Sequence, residues 1–155
     1  MRTVKKVSDS YTEQVQILTQ GNMNGFGRLF GGTMMSWIDV LAAVVARRHS
    51  NRNVTTAYVS ELSFKAPAYA NDTVLLCGHV SYVGRTSIEV CVCSYVENLD
   101  GTRTTINKAY LTMVALDEND CPCEVPMIEI ENEDQRLEFE EGLLRRKQRE
   151  QTKNR

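Results

Sequence analysis

Asp39 is the side chain in this sequence whose surroundings point most directly to chemistry. It is the only ionisable residue between Thr33 and Ala46, and its neighbours on a helical projection are Met35, Ala43 and Ala46. A carboxylate on so apolar a segment costs free energy unless it is hydrogen-bonded, ion-paired or used by the protein. Asp39 is therefore a candidate functional residue. The alternative is a structural carboxylate that a neighbouring hydroxyl or amide satisfies.

A glycine-rich loop leads into the segment that carries Asp39. Three glycines and two asparagines occur within seven residues from Gly21, and this composition disfavours regular structure. Gly31 and Gly32 then allow a sharp turn and let a ligand approach the backbone closely, and Thr33 is a candidate helix cap. The sequence thus predicts a loop followed by an accessible helix start.

The elements that must position these residues follow from the hydrophobic periodicity. Apolar residues recur at helical spacing from Met34 to Val45, which predicts a helix that packs on a core and runs to about His49. Alternating and β-branched stretches predict strands at 14–19, 54–64, 73–83, 86–96 and 102–116. Residues 134–151 have the composition of an exposed helix that frays. Because so apolar a helix must be covered, we expect an α+β fold in which an antiparallel sheet wraps around one central helix.

Length and composition limit the chain to one core. A sequence of 155 residues with 42% hydrophobic residues can bury one sizeable core, which we place in residues 1–130, with a charged helical extension at 131–155. The net charge of −2 gives no overall basic field, so we expect neither nucleic acid nor a membrane as a partner. No secretory signal or apolar run of transmembrane length is visible in the sequence.

The cysteines predict packing rather than metal binding. Five are present, and four of them form the C-x-C pairs Cys91/Cys93 and Cys121/Cys123. Zinc sites prefer two to four residues between paired cysteines, whereas Cys91 and Cys93 would share one face of a strand as small apolar groups. We therefore expect reduced thiols, no metal site and a cytoplasmic protein.

The glycine pair belongs to a longer series of motifs. The first is Asn24-x-x-Gly27-x-Leu29-Phe30-Gly31-Gly32, with an aspartate seven residues after the second glycine. Further along the chain are Val54-Thr55-Thr56, Phe64-x-x-Pro67, Asp72-x-Val74, Val83-Gly84-Arg85-Thr86-Ser87 and Val114-Ala115-Leu116-Asp117. Together these motifs resemble the hotdog-fold acyl-CoA thioesterases of the cytosolic acyl-CoA hydrolase type, over about residues 14–126. The hotdog fold is the same arrangement of sheet and helix that the periodicity predicts.

The resemblance implies hydrolysis of fatty acyl-CoA to free acid and CoA. Asp39 would act as general base on water or as nucleophile, and Asn24 would orient the water or the carboxylate. Backbone N–H groups at Gly31 and Gly32 would polarise the thioester oxygen, a task suited to unpaired amides at a helix start. Some relatives carry a hydroxyl where this chain has Ala43, which leaves the choice between base and nucleophile open.

The resemblance also implies where the nucleotide of CoA binds. The turn formed by Gly84, Arg85, Thr86 and Ser87 would hold a CoA phosphate through the arginine and hydroxyl or backbone donors. The alternative is a plain hairpin turn. No separate cofactor is expected, because CoA is part of the substrate and the product.

Distances along the central helix predict a dimer. At 1.5 Å per residue, Asp39 lies roughly 12 Å along the axis from Gly31, so one helix can hardly present both to one carbonyl. We therefore expect a two-fold homodimer with composite sites, and the resemblance implies assembly into a trimer of dimers.

Two other classes of function remain as alternatives. A non-catalytic acyl-CoA sensor would bind the same ligand without turnover, and an oligomerising scaffold would leave the lone carboxylate unexplained. A serine hydrolase is disfavoured, because neither His49 nor His79 is accompanied by a G-x-S-x-G motif.

Overall fold

The computed structural model describes residues 2–153, which form seven strands and two α-helices. In chain order these are β1 (Val4–Lys6), β2 (Thr12–Ile17), α1 (Gly31–Ser50), β3 (Asn53–Phe64), β4 (Thr73–Val83), β5 (Ser87–Glu97), β6 (Arg103–Leu116), β7 (Met127–Glu129) and α2 (Glu133–Lys153). The five predicted strands and both predicted helices are present, with ends that differ by up to three residues. The short strands β1 and β7 were not predicted, because three residues carry too little pattern.

Five strands form one antiparallel sheet in the order β2-β4-β5-β6-β3. Hairpin turns join β4 to β5 and β5 to β6, so these three long strands occupy its centre. β3 lies at one edge and pairs with β6, and its register shifts twice; Glu61, in the second shift, has a φ of 53°. The small β1–β7 pair is parallel and lies outside this sheet.

Helix α1 packs against one face of the sheet and supplies much of the core. Its buried residues follow the predicted stripe and include Met34, Ile38, Leu41, Ala42 and Val45. The backbone of β4 comes close to it at Gly78, where an added Cβ would lie 3.0 Å from Cγ2 of Val45. The predicted α+β hotdog arrangement is therefore confirmed, and α1 is its central helix.

Helix α2 lies on the opposite face of the sheet, and most of its residues are exposed, as expected. One side of the helix nevertheless packs against the sheet, which the sequence did not predict. Arg145 donates two hydrogen bonds to Glu89 of β5, at 3.0 and 2.7 Å. Gly142 is buried so closely that an added Cβ would lie 2.5 Å from Cβ of Tyr82. The guanidinium of Arg145 also lies 3.6 Å from the ring centroid of Tyr110. Phe139 adds an aromatic contact, with its ring centroid 4.7 Å from that of Tyr82. Hydrophobic periodicity missed the contact because most of the other residues on this side of α2 are charged.

Between residues 2 and 153, neither helix is long and apolar enough to cross a membrane. The five cysteines are all free thiols.

Candidate active site

Asp39 lies on the exposed side of α1 and faces the edge strand β3. Its Oδ1 accepts a hydrogen bond of 2.6 Å from the Oγ1 of Thr56. Among the described residues, no hydrogen bond reaches its other carboxylate oxygen, Oδ2. A single donor thus orients the carboxylate and leaves one oxygen available for chemistry.

An apolar cavity opens beside this carboxylate. Its volume is about 340 Å³, and most of its lining is aliphatic, including Met35, Ile38, Val59 and Leu111. Asp39 and Thr56 also line it. This combination of an apolar wall and one oriented carboxylate suits a ligand with a hydrocarbon chain next to a reactive carbonyl group.

Thr56 is a site residue that the sequence reasoning did not single out. It appeared only inside the Val54-Thr55-Thr56 motif, and nothing in that motif separates one threonine from the other. The strand register does separate them: Thr56 pairs with Met113 of β6 and faces α1, where its hydroxyl meets Asp39. Identifying it required the packing of β3 against α1.

Asn24 holds the loop before α1 in shape. Its Oδ1 accepts hydrogen bonds from the backbone N–H groups of Phe26, at 2.9 Å, and Arg28, at 3.2 Å. The backbone N–H of Asn24 also donates to the carbonyl of Arg28 at 2.7 Å. Because Oδ1 is occupied, the side chain of Asn24 can offer its Nδ2 as a donor. Asn24, Arg28, Phe64 and Lys65 line a second cavity of about 340 Å³.

The first amides of α1 are not capped by a side chain, so the prediction that Thr33 caps the helix is wrong. The helix begins at Gly31, after Phe30, and the first backbone bond is from Met34 N–H to the carbonyl of Phe30, at 3.1 Å. At Gly32 an added Cβ would lie 2.8 Å from the ring of Phe30, so only glycine fits without a shift of that ring. The N–H groups of Gly31 and Gly32 lie at the positive end of the helix dipole.

One chain does not bring the two halves of the candidate site together. Asp39 lines the cavity with Thr56, whereas Asn24 lines the other cavity beside Phe64, at the far end of the 12-residue strand β3. The start of α1 belongs to the second half, since an added Cβ at Gly31 would lie 3.9 Å from Phe64. A site that uses both halves therefore needs a second chain.

The turn between β4 and β5 is tightly built. The N–H of Gly84 donates to the carbonyl of Ser87 at 2.9 Å, and its own carbonyl accepts from Nη2 of Arg2 at 2.7 Å. An added Cβ at Gly84 would lie against Nη1 of Arg146. The N–H and the carbonyl of Gly84 thus already make hydrogen bonds within the protein, whereas the side chain of Arg85 is exposed. Phosphate binding by Gly84, Arg85, Thr86 and Ser87 remains a prediction, and it now depends on Arg85 and the two hydroxyls.

The fold and the site together define a hotdog protein with a carboxylate on its central helix, and comparisons with known proteins agree. The family model of the thioesterase superfamily matches residues 26–101. The uncharacterized acyl-CoA thioester hydrolase YkhA of Bacillus subtilis is 36% identical over 131 residues, which is 84% of this chain and 76% of that protein. The chain therefore belongs to the thioesterase superfamily, in its group of acyl-CoA thioester hydrolases.

Solved structures show the same fold. An apo-hexameric acyl-CoA thioesterase is 35% identical, with a TM-score of 0.92 and coverage of 97% of both chains. An acyl-CoA hydrolase from Staphylococcus aureus, solved with butyryl-CoA and CoA, is 28% identical with a TM-score of 0.91, over 97% of this chain and 92% of that one.

Variants of the Staphylococcus aureus enzyme provide a further comparison. Structures exist in which an asparagine, an aspartate or a threonine of that enzyme is replaced by alanine. The three positions have the same spacing along the chain as Asn24, Asp39 and Thr56 have here.

Proposed function

We propose that this protein hydrolyses the thioester of fatty acyl-CoA to free acid and CoA, at sites that two subunits build together. One observation carries the proposal: Asp39 lines an apolar cavity, with one carboxylate oxygen held by Thr56 and the other free of hydrogen bonds to the described residues. An acyl chain fits such a wall, and a carboxylate beside it can activate water. Family membership supports the same class of substrate.

In the proposed reaction, Asp39 takes a proton from water while the water oxygen attacks the thioester carbonyl. The hydrogen bond from Thr56 leaves Oδ2 to act as the base. The negative charge that develops on the carbonyl oxygen is stabilised by the N–H groups of Gly31 and Gly32 of the other subunit. Collapse of the tetrahedral intermediate breaks the C–S bond, and the CoA thiolate receives the proton. Direct attack by Asp39 would instead form an anhydride that water then hydrolyses.

Asn24 supports this reaction through its Nδ2. Because its Oδ1 accepts two backbone bonds, its side chain serves as a donor to the water oxygen or to the carboxylate of Asp39. This arrangement fixes the amide orientation, so replacement by aspartate would remove the donor as well as add a negative charge.

Exposed apolar groups at the edge of the sheet support the dimer. Val40 on α1 is 59% exposed, and Tyr58, Val59 and Phe64 on the edge strand β3 are also exposed. An unpaired edge strand with apolar side chains favours pairing with a second chain. We propose that two copies meet along this surface and that the dimers assemble into a trimer of dimers, as hexameric relatives suggest.

Two basic regions are proposed to hold the nucleotide phosphates. Arg85, with the hydroxyls of Thr86 and Ser87, lies near the end of the sheet where Ile88, Met113 and Thr56 form one row across three strands. It therefore belongs to the same half of the chain as Asp39. Lys65 lies in the other half, beside Asn24.

Free cysteines agree with an enzyme that works in the reducing cytoplasm.

A thiol-release assay tests the proposed activity. Acyl-CoA substrates from acetyl to palmitoyl are offered to the parent protein, to Asp39→Asn and to Asp100→Asn, a control at an exposed turn. Loss of the base should lower kcat by about 10²- to 10⁴-fold, while the control keeps parental turnover. Near-parental turnover by Asp39→Asn would refute the mechanism, and binding of acyl-CoA without thiol release by the parent would favour the sensor.

Mixed dimers test the shared site. Asp39→Asn and Asn24→Ala chains with different tags are co-expressed, and the dimers that carry both tags are isolated. If sites are composite, one site of each mixed dimer combines the intact Asp39 with the intact Asn24, so about half of the parental activity returns. If each chain builds its own site, the mixed dimers stay as inactive as the single variants.

A further inference from the structure

A second cluster of reactive side chains lies on the face of the sheet away from α1. His79 of β4 stands directly opposite Cys91 of β5 in the strand register, and their side chains point to the same face. Helix α2 covers this face and adds Glu138, whose carboxylate oxygens lie 2.8 and 2.9 Å from Nε2 of His79. The imidazole, thiol and carboxylate atoms all lie within 4.8 Å of one another.

The side chains of this cluster are shielded from solvent to different extents. Cys91 is 1% exposed, and the side chains of His79 and Glu138 are 27% and 23% exposed. The sulfur of Cys91 lies 3.9 Å from that of Cys93, which follows it on the same face of β5. A histidine, a thiol and a carboxylate from three different elements thus converge at a largely buried point.

We propose that His79, Cys91 and Glu138 bind a zinc-type divalent cation that joins α2 to the sheet. Imidazole nitrogen, thiolate sulfur and carboxylate oxygen are the three kinds of ligand that Zn²⁺ takes in proteins. Around a tetrahedral ion such ligands lie about 3.4 to 3.6 Å apart, so the His79–Glu138 pair opens by about half an ångström. On binding, the proton that Nε2 of His79 donates to Glu138 moves to Nδ1 by way of solvent, which frees the Nε2 lone pair for the metal, and the thiol of Cys91 releases its proton to solvent.

The structure also provides a path to the site and a fourth position for the ion. A cavity of about 500 Å³ opens between α2 and the N-terminal segment, and both His79 and Glu138 line it. Solvent reaching through this cavity supplies a water as the fourth ligand. The neighbouring sulfur of Cys93 lies close enough to replace that water after a side-chain rotation.

This site is separate from the proposed hydrolytic site. The valines that alternate with Cys91 along β5, Val90 and Val92, belong to the core beneath α1, so Cys91 points away from α1. The sheet lies between the cation and Asp39. The bound ion therefore stabilises the packing of α2, and its removal leaves the hydrolytic groups in place.

Cobalt(II) is the probe for this proposal, because a thiolate bound to it gives a charge-transfer absorption that zinc lacks. The reduced, chelator-treated full chain is titrated with Co²⁺ and then with Zn²⁺. We expect one Co²⁺ per chain with a thiolate band, loss of that band on adding Zn²⁺, and a higher Tm with Zn²⁺. Cys91→Ser should lose the band and the Tm increase, while Cys121→Ser, at an exposed thiol, should keep both.

Glu138→Gln provides a second variant in case Cys91→Ser folds poorly. It keeps the shape of the side chain but binds metal weakly, so the affinity for Co²⁺ should fall by at least about tenfold. Absence of a thiolate band in the parent, or a band that persists in Cys91→Ser, would overturn the proposal. Thiol release from acyl-CoA by folded Cys91→Ser should equal that of the parent, which keeps this test independent of the proposed function.

Discussion

Helices α1 and α2 cover opposite faces of one sheet through contacts of opposite character. α1 presents Ile38, Leu41 and Val45 to an apolar face, with Gly78 allowing close approach. α2 presents mainly charged groups, together with Gly142 and the ring of Phe139. Its Arg145 pairs with Glu89, whose side chain is 3% exposed. Ser81 donates a further hydrogen bond of 2.6 Å to Glu89.

This difference shows that a helix can pack against a sheet without an apolar stripe in its sequence. The contact of α1 depends on removing apolar surface from water, which tolerates small shifts in geometry. The contact of α2 depends on specific hydrogen bonds to desolvated charges, which fail when either partner is lost. The two helices should therefore respond in different ways to substitution, and the following experiments measure that difference.

The largest effect is expected for Arg145→Met. This change leaves the carboxylate of Glu89 buried without its guanidinium, and breaking a buried pair in this way costs about 3–5 kcal/mol of unfolding free energy. Denaturant unfolding followed by circular dichroism measures the loss. A value below about 1 kcal/mol would show that the pair is solvated and that α2 is docked by other contacts.

The double variant Glu89→Leu with Arg145→Met sharpens this prediction. Replacing both charges with apolar groups removes the unpaired charge, so most of the lost stability should return. If the double variant is as unstable as the single one, the contact depends on the shape of the ion pair rather than on its charge.

Most of the fold could be predicted from the sequence, because its long helices and strands show a clear hydrophobic periodicity. The stripe from Met34 to Val45 predicted α1, and the alternating runs predicted five strands that the structure contains. Helix α2 was predicted as an exposed helix, and the packing of its one side on the sheet was missed because groups on that side, such as Glu138 and Arg145, are polar. β1 and β7 were missed because each consists of only three residues.

The sequence predicted only those residues of the candidate site that lie within one segment of the chain. Asp39, Asn24 and the glycine pair lie within one stretch, so their unusual types were visible in the sequence. Thr56 reaches Asp39 through the packing of an edge strand, and His79 meets Cys91 and Glu138 through register and docking. Such contacts between distant segments have no local signal. The expectation that Cys91 only fills space therefore changes once its neighbours are known.

The apolar contact of α1 is tested by Leu41→Ala. Leu41 is 2% exposed and packs against Gly78, so its truncation should cost about 2–5 kcal/mol, depending on how far the cavity collapses. Val40→Ala removes a side chain from the surface proposed to pair with a second chain, so it should cost less than about 0.5 kcal/mol in dilute, monomeric protein and more where the dimer forms. A loss in the monomer equal to that of Leu41→Ala would mean that the single chain already buries this side of α1.

The smallest predicted effect concerns pH and the last turn of α1. His49 is fully buried, and desolvation lowers its pKa below the usual value of 6.5. Its Nε2–H donates to the carbonyl of Pro126 at 2.8 Å, while Nδ1 has no partner among the described residues. A second proton would therefore be buried without an acceptor. The neutral ring is therefore the form that fits this end of α1.

Because the folded pKa of His49 is lowered, the unfolded chain binds more protons as the pH falls below 6.5. The stability that the neutral ring provides is complete above pH 6.5 and is lost as the pH falls through the folded pKa. The slope is at most about 1.4 kcal/mol per pH unit. His49→Gln keeps a donor at the position of Nε2 but cannot titrate, so its unfolding free energy should lack this component. An unchanged slope in His49→Gln would assign the acid sensitivity to other groups, such as the carboxyl of Glu138 on α2. Desolvation raises the pKa of that carboxyl, but the hydrogen bond from His79 and the nearby Lys108 outweigh it, so the pKa lies below its usual value.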